Sequence, residues 1–285
     1  MPTSPPTPAF RTRFVLIQTS HAGNVGAAAR AIKVMGFDEL VLVAPRWANV
    51  LRREETIQRA SGALDVLENA RIVETLDEAL EGMTHLCATA MTPRDFGPPT
   101  RAPREHFAQL VRTATPETGT QGLAFLFGSE RFGMRNEDVY RCHVALSIPT
   151  NPKFGSLNLA SALQVIAYEW RLALGGFAHS VRPESISVRA EPVEALTSPS
   201  TSSGRAGSGS ARTEKVRADA PQVAGMLAHL EEALVAVNFL DPEAPKKLMP
   251  RLNSLFNRAD LTQEEIHILR GVAKAMLETA SRAKR

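Results

Sequence analysis

Five short apolar runs divide the first half of the chain and predict buried strands. The runs are four to six residues long, are rich in β-branched and aromatic side chains, and have polar flanks. Continuous apolar stretches of this kind are typical of parallel strands that are covered on both faces. The runs are FVLI at 14–17, LVLVA at 40–44, HLCATA at 85–90, LAFLF at 123–127 and HVALSI at 143–148.

Helix-sized segments separate these runs, and two of the segments carry helix-end signals. Asn24 is placed to cap a helix that Gly36 ends, and Thr75 with Glu78 has the spacing of a capping box. Strands that alternate with helices form a parallel sheet with helices on both faces. The pattern therefore predicts an α/β domain over residues 13–177, preceded by a disordered, Pro-rich arm over residues 1–12.

The pattern changes in the last third of the chain. Residues 178–220 mix Ser, Gly, Pro, Thr and Arg with few aliphatic side chains, which predicts a flexible linker. Residues 221–285 predict a small all-α domain, with a second helix that bends or restarts at Pro250 and a capping box from Thr262 to Glu265. One face of the last helix is expected to carry Ile266, Leu269, Val272 and Met276. Because such a core is marginal, we expect these helices to pack on a partner subunit or on RNA.

Composition narrows the class of protein. The 285 residues carry a formal net charge of +3, with 44% hydrophobic and 22% charged side chains, which excludes fibrous and mostly disordered classes. No apolar run approaches the roughly 18 residues of a membrane helix, and the first residues lack a secretory pattern, so we expect a cytoplasmic protein without membrane association. Cys87 and Cys142 are too few for a disulfide framework or a zinc site, so no metal is expected.

The first of three glycine-containing blocks follows the first strand. It is SHAGNVGAAARAIKVMG at 20–36, in which Gly23 and Gly26 predict a sharp turn and a close approach to a ligand. The block lacks the ending of a Walker loop and the spacing of a dinucleotide fingerprint. Arg30 stands among alanines, and its position alone fits either a solvated side chain or a phosphate ligand.

The second and third blocks also follow strands. In LFGSERFGMRNEDVYRCH at 126–143, Gly128 and Gly133 bracket Glu130 where a parallel sheet places its ligands, although a surface turn with a salt-bridged Glu130 fits as well. In SIPTNPKFGSLNLASALQVIAYEW at 147–170, Ser156 or Asn158 is equally suited to capping a helix. Each block alone is a weak signal, and their order along the chain is a strong one.

In this order the blocks resemble the three motifs of the SPOUT-class RNA 2′-O-methyltransferases, the SpoU/TrmH superfamily. The resemblance covers about 14–176, and the segment at 251–276 resembles the C-terminal helices of the bacterial branch that methylates cytidine or uridine at tRNA nucleotide 32. It implies a parallel sheet with a C-terminal trefoil knot and a homodimer that completes the active site. It also implies S-adenosylmethionine as cofactor, S-adenosylhomocysteine as product, no metal requirement, and tRNA as partner.

The resemblance further implies the site residues. Arg30 matches the motif arginine, which would bind phosphate and stabilise a developing alkoxide, because a guanidinium holds its proton too tightly to act as a base. Asn24, Glu130 and Ser156 match the other catalytic positions, and the first two are expected to orient Arg30 or the ribose. The implied cofactor-binding residues are Thr89, Ala90, Met91, Gly128, Ile148, Ser156, Leu157 and Asn158.

Basic side chains are the candidates for RNA contacts, although each taken singly is more easily a solvated surface group. They are Arg30, Arg52, Arg53, Lys246, Lys247 and Arg251. Three alternatives remain open: the same chemistry on ribosomal RNA, a non-catalytic RNA-binding protein on the same fold, and a Ser-His hydrolase. The hydrolase would pair Ser129 or Ser156 with His21 or His143, but GSERFG is not a G-x-S-x-G nucleophile elbow.

Overall fold

A seven-stranded sheet is the centre of the computed structural model, which describes residues 10–90, 92–114, 120–177, 216–245 and 247–283. All neighbouring strands are parallel, in the order β3-β2-β1-β6-β4-β7-β5, so the predicted α/β class is confirmed. The knotted threading implied by the resemblance stays a prediction. The strands are β1 (Phe10–Ile17), β2 (Leu40–Val43), β3 (Arg71–Val73), β4 (His85–Thr89), β5 (Thr100–Arg101), β6 (Gln121–Phe127) and β7 (Val144–Leu146).

Helices cover both faces of the sheet because successive strand side chains point to opposite sides. Phe14 and Leu16 of β1 pack in one core with α1, α5 and α7, whereas Val15 and Ile17 pack in the other with α4 and α6. Among the described residues, no helix combines the length and apolar character needed to cross a bilayer. The helices are α1 (Ala22–Val34), α2 (Glu54–Ala60), α3 (Leu64–Asn69), α4 (Leu76–Leu80), α5 (Pro103–Thr113), α6 (Asn136–Tyr140), α7 (Leu159–Ala173), α8 (Ala220–Ala236), α9 (Leu248–Ala259) and α10 (Gln263–Ala283), with a 3₁₀ turn at Val50–Arg52.

The first strand begins at Phe10, so residues 10–12 belong to the sheet and not to the predicted arm; residues 1–9 lie outside the described part. The beginning of β1 was not predicted as strand because Thr12 and Arg13 are polar. Both are buried, and both have partners: Trp170 Nε1 donates to Thr12 Oγ1 (2.9 Å), and Arg13 Nε donates to Glu39 Oε1 (2.7 Å). A buried charge is tolerated when it is paired in this way.

Two strands, β3 and β5, were not predicted from the sequence. They have three and two residues and form the two edges of the sheet. Edge strands are half-solvated, so they lack the continuous apolar run that marks the central strands. Arg71 and Ile72 of β3 are exposed in this way.

The last five residues of the predicted linker, 216–220, are part of the described structure. Residues 216–220 belong to the helical unit, because Ala218 N–H donates to Leu261 O (2.8 Å) and Asp219 begins α8 with a capping box. Residues 178–215 lie outside the described residues. The second predicted capping box, at Thr262 and Glu265, is present at the start of α10.

The C-terminal helices pack on their own α/β domain, and additional packing on a partner subunit or RNA stays a prediction. Ala220 N–H donates to Met83 O (3.0 Å), and Asn257 Nδ2 donates to the carbonyls of Arg141 (3.1 Å) and Cys142 (3.2 Å). The apolar face of α10 also differs from the prediction. Val272 is 50% exposed, whereas the neighbouring Ala273 is fully buried.

Candidate functional site

A cavity of about 570 Å³ opens at the carboxyl ends of β4, β6 and β7. Parallel sheets bind ligands at this edge, and small-molecule sites have volumes of roughly 300–1,000 Å³. The predicted residues that line the cavity are Asn24, Thr89, Ala90, Gly128, Glu130, Ile148, Ser156, Leu157 and Asn158. Met91 lies outside the described residues. The structure thus brings parts of all three sequence blocks to one place.

Glu130 ties the loop after β6 to the loop between β1 and α1. Its Oε1 accepts hydrogen bonds from Thr19 Oγ1 (2.8 Å) and Asn24 Nδ2 (2.9 Å), and its Oε2 accepts from the N–H and hydroxyl of Ser20 (both 2.8 Å). Burial alone would raise the pKa of Glu130, but the bonds from Asn24, Ser20 and Thr19 outweigh it and lower the pKa to about 2. The carboxylate is therefore ionised at neutral pH and poorly suited to act as a general base.

Asn24 extends this network to the third block. Its Oδ1 accepts a hydrogen bond from Asn158 Nδ2 (3.0 Å), while Asn158 Oδ1 accepts from Ala160 N–H (2.9 Å). The prediction that Asn158 can cap the helix of the third block, α7, is therefore confirmed. The predicted cap role of Asn24 is wrong, because His21 occupies the N-cap of α1 and Asn24 lies in its first turn. The chain of bonds from Glu130 through Asn24 to Asn158 joins the three loops.

The loop after β6 requires glycine at its first position. A Cβ at Gly128 would lie 2.1 Å from the carbonyl carbon of Gly133 and 2.2 Å from Met134 N. The turn closes through a hydrogen bond from Gly133 N–H to Ser129 O (2.8 Å). The alternative of a surface turn with a salt-bridged Glu130 is wrong, since the Glu130 carboxylate points inward to its own network.

The cavity lining combines polar and apolar groups. Two polar groups at the end of β4 are paired within the sheet, because Thr89 Oγ1 donates to Leu126 O (2.9 Å) and Ala90 N–H donates to Leu146 O (3.1 Å). Ile148 and Leu157 line the same space. Apolar side chains beside backbone groups suit a neutral, flat base better than they suit a chain of phosphates.

Gly23 and Gly26 do not form the ligand-contacting turn that was predicted. Both are buried within α1, where a Cβ on Gly26 would lie 2.0 Å from Thr56 O. Gly26 therefore permits the close packing of α1 against α2, and a Cβ on Gly23 would meet the Glu55 side chain (2.4 Å).

Arg30 lies apart from the cavity. It is exposed on α1 and makes no hydrogen bond or ion pair with any residue that the structure describes. Neither Asn24 nor Glu130 contacts it, so the expectation that they orient Arg30 within one chain is not met.

The hydrolase alternative finds no support in the described residues. Ser129 Oγ accepts a hydrogen bond from Phe132 N–H (3.3 Å) and bonds to no histidine there. His143 accepts a hydrogen bond from Leu86 N–H (3.1 Å) at the other end of β4. Among the described residues, no hydrogen bond joins Ser129 or Ser156 to His21 or His143, although His21 lines the same cavity as both serines.

Comparison with known proteins decides the family. Residues 11–168 match the SpoU rRNA Methylase family. The chain belongs to the SpoU family. Residues 221–285 of this SpoU member match the C-terminal domain of the tRNA methyltransferase TrmJ. The resemblance drawn from the sequence is confirmed.

Curated SpoU relatives match almost the whole chain. A tRNA (cytidine/uridine/adenosine-2′-O-)-methyltransferase TrmJ of Pseudomonas aeruginosa (strain UCBPP-PA14) is 39% identical over 263 residues, which cover 92% of each chain. A tRNA (cytidine/uridine-2′-O-)-methyltransferase TrmJ of Escherichia coli (strain K12) is 36% identical over 260 residues, 91% of this chain and 92% of that one.

Solved structures share the SpoU fold. TrmJ from Z. mobilis ZM4 is 27% identical with a TM-score of 0.69, and the match covers 93% of this chain and 99% of that one. A probable methyltransferase from Bordetella pertussis Tohama I is 48% identical with a TM-score of 0.54, covering 57% of this chain and 96% of its own.

Two groups of basic residues lie outside the cavity lining of this SpoU member but near segments that border the cavity. Arg52 is exposed, and Arg53 stacks over Trp47 (4.5 Å) in the segment that follows β2. This segment lies beside the Glu130 network, because Arg46 N–H donates to Thr19 O (3.0 Å).

The second basic group comes from the C-terminal helices. Lys247 Nζ and Arg251 Cζ lie 4.7 and 4.5 Å from the ring centroid of Phe96, in the loop after β4. Both cations are therefore engaged with an aromatic ring at the surface. Lys246 lies outside the described residues.

Some lining residues were missed from the sequence. Thr92 and Arg94 continue the loop that begins at Thr89, and Arg94 Nε donates to Asn136 Oδ1 (2.8 Å). Thr150 and Met134 extend the other two loops. Met134 and Thr150 lie within the second and third blocks, and Thr92 and Arg94 follow Met91 closely, so closeness to the predicted residues was the available signal.

Proposed function

We propose that this chain transfers a methyl group from S-adenosylmethionine to the ribose 2′-oxygen of tRNA nucleotide 32, a cytidine or uridine. The relatives are named as tRNA 2′-O-methyltransferases, and the match extends through the C-terminal domain. The observation that carries the proposal is the Glu130–Asn24–Asn158 network, which holds three loops around one cavity. We expect the enzyme to act in the cytoplasm, where tRNA is modified.

The cavity fits the proposed cofactor. When bound, S-adenosylmethionine supplies a methyl group that is already activated on a sulfonium. Apolar walls from Ile148 and Leu157 would enclose the adenosine, and the backbone at Ala90 and Gly128 would border it. Thr89, Ser156 and Asn158 complete this proposed set, and no metal is required for a transfer of this type.

Arg30 has the chemistry to act on the RNA but does not reach the cavity of its own chain. We assign it to the cavity of a second copy, where it would bind the phosphate next to the target ribose and stabilise the developing alkoxide. Its exposure and lack of a partner among the described residues support this role. Asn24, Glu130 and Ser156 would shape the cavity rim, with Glu130 acting through hydrogen bonds and not through proton transfer.

The same face supports a homodimer. Next to Arg30 on α1, Val34 is 56% exposed, and on the adjoining α7, Tyr168 and Leu172 are 47% and 45% exposed. Apolar side chains grouped on two packed helices are typical of a surface that a partner covers. A second copy placed there would complete each active site.

The basic residues near the cavity would guide the RNA. Arg52 and Arg53 lie in the segment that touches the motif loop at Thr19, and Lys247 and Arg251 lie against the loop after β4. Phosphate contacts of this kind position an RNA, whereas an exposed loop such as the anticodon loop provides accessible bases.

Mapping of 2′-O-methyl groups tests the proposal. In tRNA from cells lacking the gene, the mark at nucleotide 32 should be absent, and it should return with the wild-type chain but not with Arg30→Ala. Marks lost only from ribosomal RNA would favour the alternative of a ribosomal RNA 2′-O-methyltransferase, as the name of the SpoU rRNA Methylase family suggests. Unchanged marks in both RNAs would favour a non-catalytic RNA-binding protein.

A further inference from the structure

Two histidines and a cysteine meet inside the α/β domain, away from the cavity. His85 and Cys87 lie on the same face of β4, and His106 lies on α5, which packs over that face. The distance from His85 Nε2 to His106 Nε2 is 3.1 Å, and that from Cys87 Sγ to His106 Nε2 is 3.9 Å. One donor atom from each residue lies within 4.8 Å of the other two.

These spacings are close to those of a zinc site. With bonds of about 2.0–2.3 Å, a tetrahedral zinc ion places neighbouring donor atoms about 3.3–3.7 Å apart. The observed 3.1 and 3.9 Å fall on either side of that value, so small side-chain movements would complete the geometry. Two imidazoles and a thiolate form the mixed nitrogen and sulfur set that zinc prefers.

A hydrogen bond between the two rings is the other explanation of the cluster, and it uses the same Nε2 atoms that would bind a metal. Nδ1 of His106 is buried without a partner among the described residues in either case, so it does not distinguish the two explanations. The closeness of Cys87 Sγ to the same Nε2 atom is what a histidine pair alone leaves unexplained.

We propose that His85, Cys87 and His106 bind one Zn²⁺ ion in a structural site. Binding would release the thiol proton of Cys87 to solvent as the sulfur–zinc bond forms, and water would take the fourth position. The ion would fasten α5 to β4, the strand whose carboxyl end lines the cavity. A count of two cysteines did not suggest this site, because two of its three ligands are histidines and one of these comes from a separate helix. The site is independent of the proposed methyl transfer.

Cobalt titration of the full-length chain, first stripped with a chelator, tests the proposal. The wild-type chain should bind one equivalent of Co²⁺ with a thiolate-to-cobalt charge-transfer absorption, and Zn²⁺ should abolish that absorption by displacement. Cys87→Ser should lose it, and His106→Gln should bind at least about 100-fold more weakly, since loss of a ligand costs more than loss of an outer-shell contact. Cys142→Ser is the matched control, because Cys142 is buried in the opposite core, and it should behave like the wild type.

Two results would overturn the proposal. One is a wild-type chain that binds neither metal stoichiometrically, a result that does not depend on any variant being folded. The other is a folded Cys87→Ser chain that keeps the full cobalt absorption. Thermal unfolding of each stripped variant identifies those that are folded.

Discussion

Replacement of Glu130 by glutamine should weaken the hydrogen-bond network that connects the three loops. The carboxylate accepts hydrogen bonds from Thr19, Ser20 and Asn24, and all of these groups act as donors. In Glu130→Gln one oxygen becomes an NH₂ group that cannot accept. At least one buried donor then loses its acceptor, and the remaining bonds lose their charge.

The size of the effect follows from the pKa. A carboxyl whose pKa falls from 4.5 to about 2 on folding is stabilised by up to about 3 kcal/mol, at about 1.4 kcal/mol per tenfold change in its acid constant. Because Glu130 is only half-buried, we expect about 2 kcal/mol after allowance for solvent screening. One lost charge-assisted hydrogen bond independently costs about 1.5–3 kcal/mol.

Urea unfolding of the wild type and Glu130→Gln measures this difference. Trp47 and Trp170 both lie in the α/β domain, so tryptophan fluorescence reports its unfolding. A carboxyl whose pKa is lower in the folded state stabilises the fold at pH values above its unfolded-state pKa. This stabilisation is lost as the pH falls toward the folded-state pKa. The difference in the free energy of unfolding should therefore be about 2 kcal/mol at neutral pH and fall by about 1 kcal/mol at about pH 3.5.

A matched control is Glu137→Gln, in an exposed pair with Arg135 (3.6 Å). Its effect should stay within about 0.5 kcal/mol at every pH. A Glu130→Gln difference that is absent at neutral pH, or equal at both pH values, would refute the reasoning about this network.

Three further predictions concern single substitutions. Arg30→Lys keeps the positive charge but loses the planar guanidinium. Turnover should therefore fall at least about 100-fold, while the dissociation constant for S-adenosylmethionine is unchanged. An equal loss of cofactor affinity would contradict the proposed role of Arg30. Gly26→Ala places a Cβ 2.0 Å from Thr56 O and should destabilise by about 3 kcal/mol in urea unfolding, whereas Gly62→Ala, with open space around it, should be nearly neutral. Arg52→Ala should lower the slope of log binding constant against log salt concentration for tRNA by about one. An unchanged slope would show that Arg52 does not contact the RNA backbone.

The central strands could be predicted because burial on both faces leaves a clear sequence signal. Phe14, Leu42 and Phe125 lie in apolar runs, whereas the edge strands β3 and β5 have no such run. The start of β1 was missed because the burial of Arg13 depends on Glu39, a partner 26 residues away. A pairing of this kind exists only once the chain is folded.

The sequence predicted which residues line the candidate site but not the contacts between them. Order along the chain identified Asn24, Glu130 and Asn158, but nothing in the sequence showed that they bond to one another and not to Arg30. Local spacing also favoured a ligand turn at Gly26, where the decisive neighbour is the backbone of α2. Packing between separate helices lies beyond local patterns.

Hydrogen exchange of the full chain, with and without S-adenosylhomocysteine, tests the central claim most directly. If the three loops form one cofactor site, exchange should slow together in peptides covering 89–94, 128–134 and 148–158, with little change in β3 or α10. A ligand that protects only one of the loops, protects a different region, or fails to bind would contradict the account.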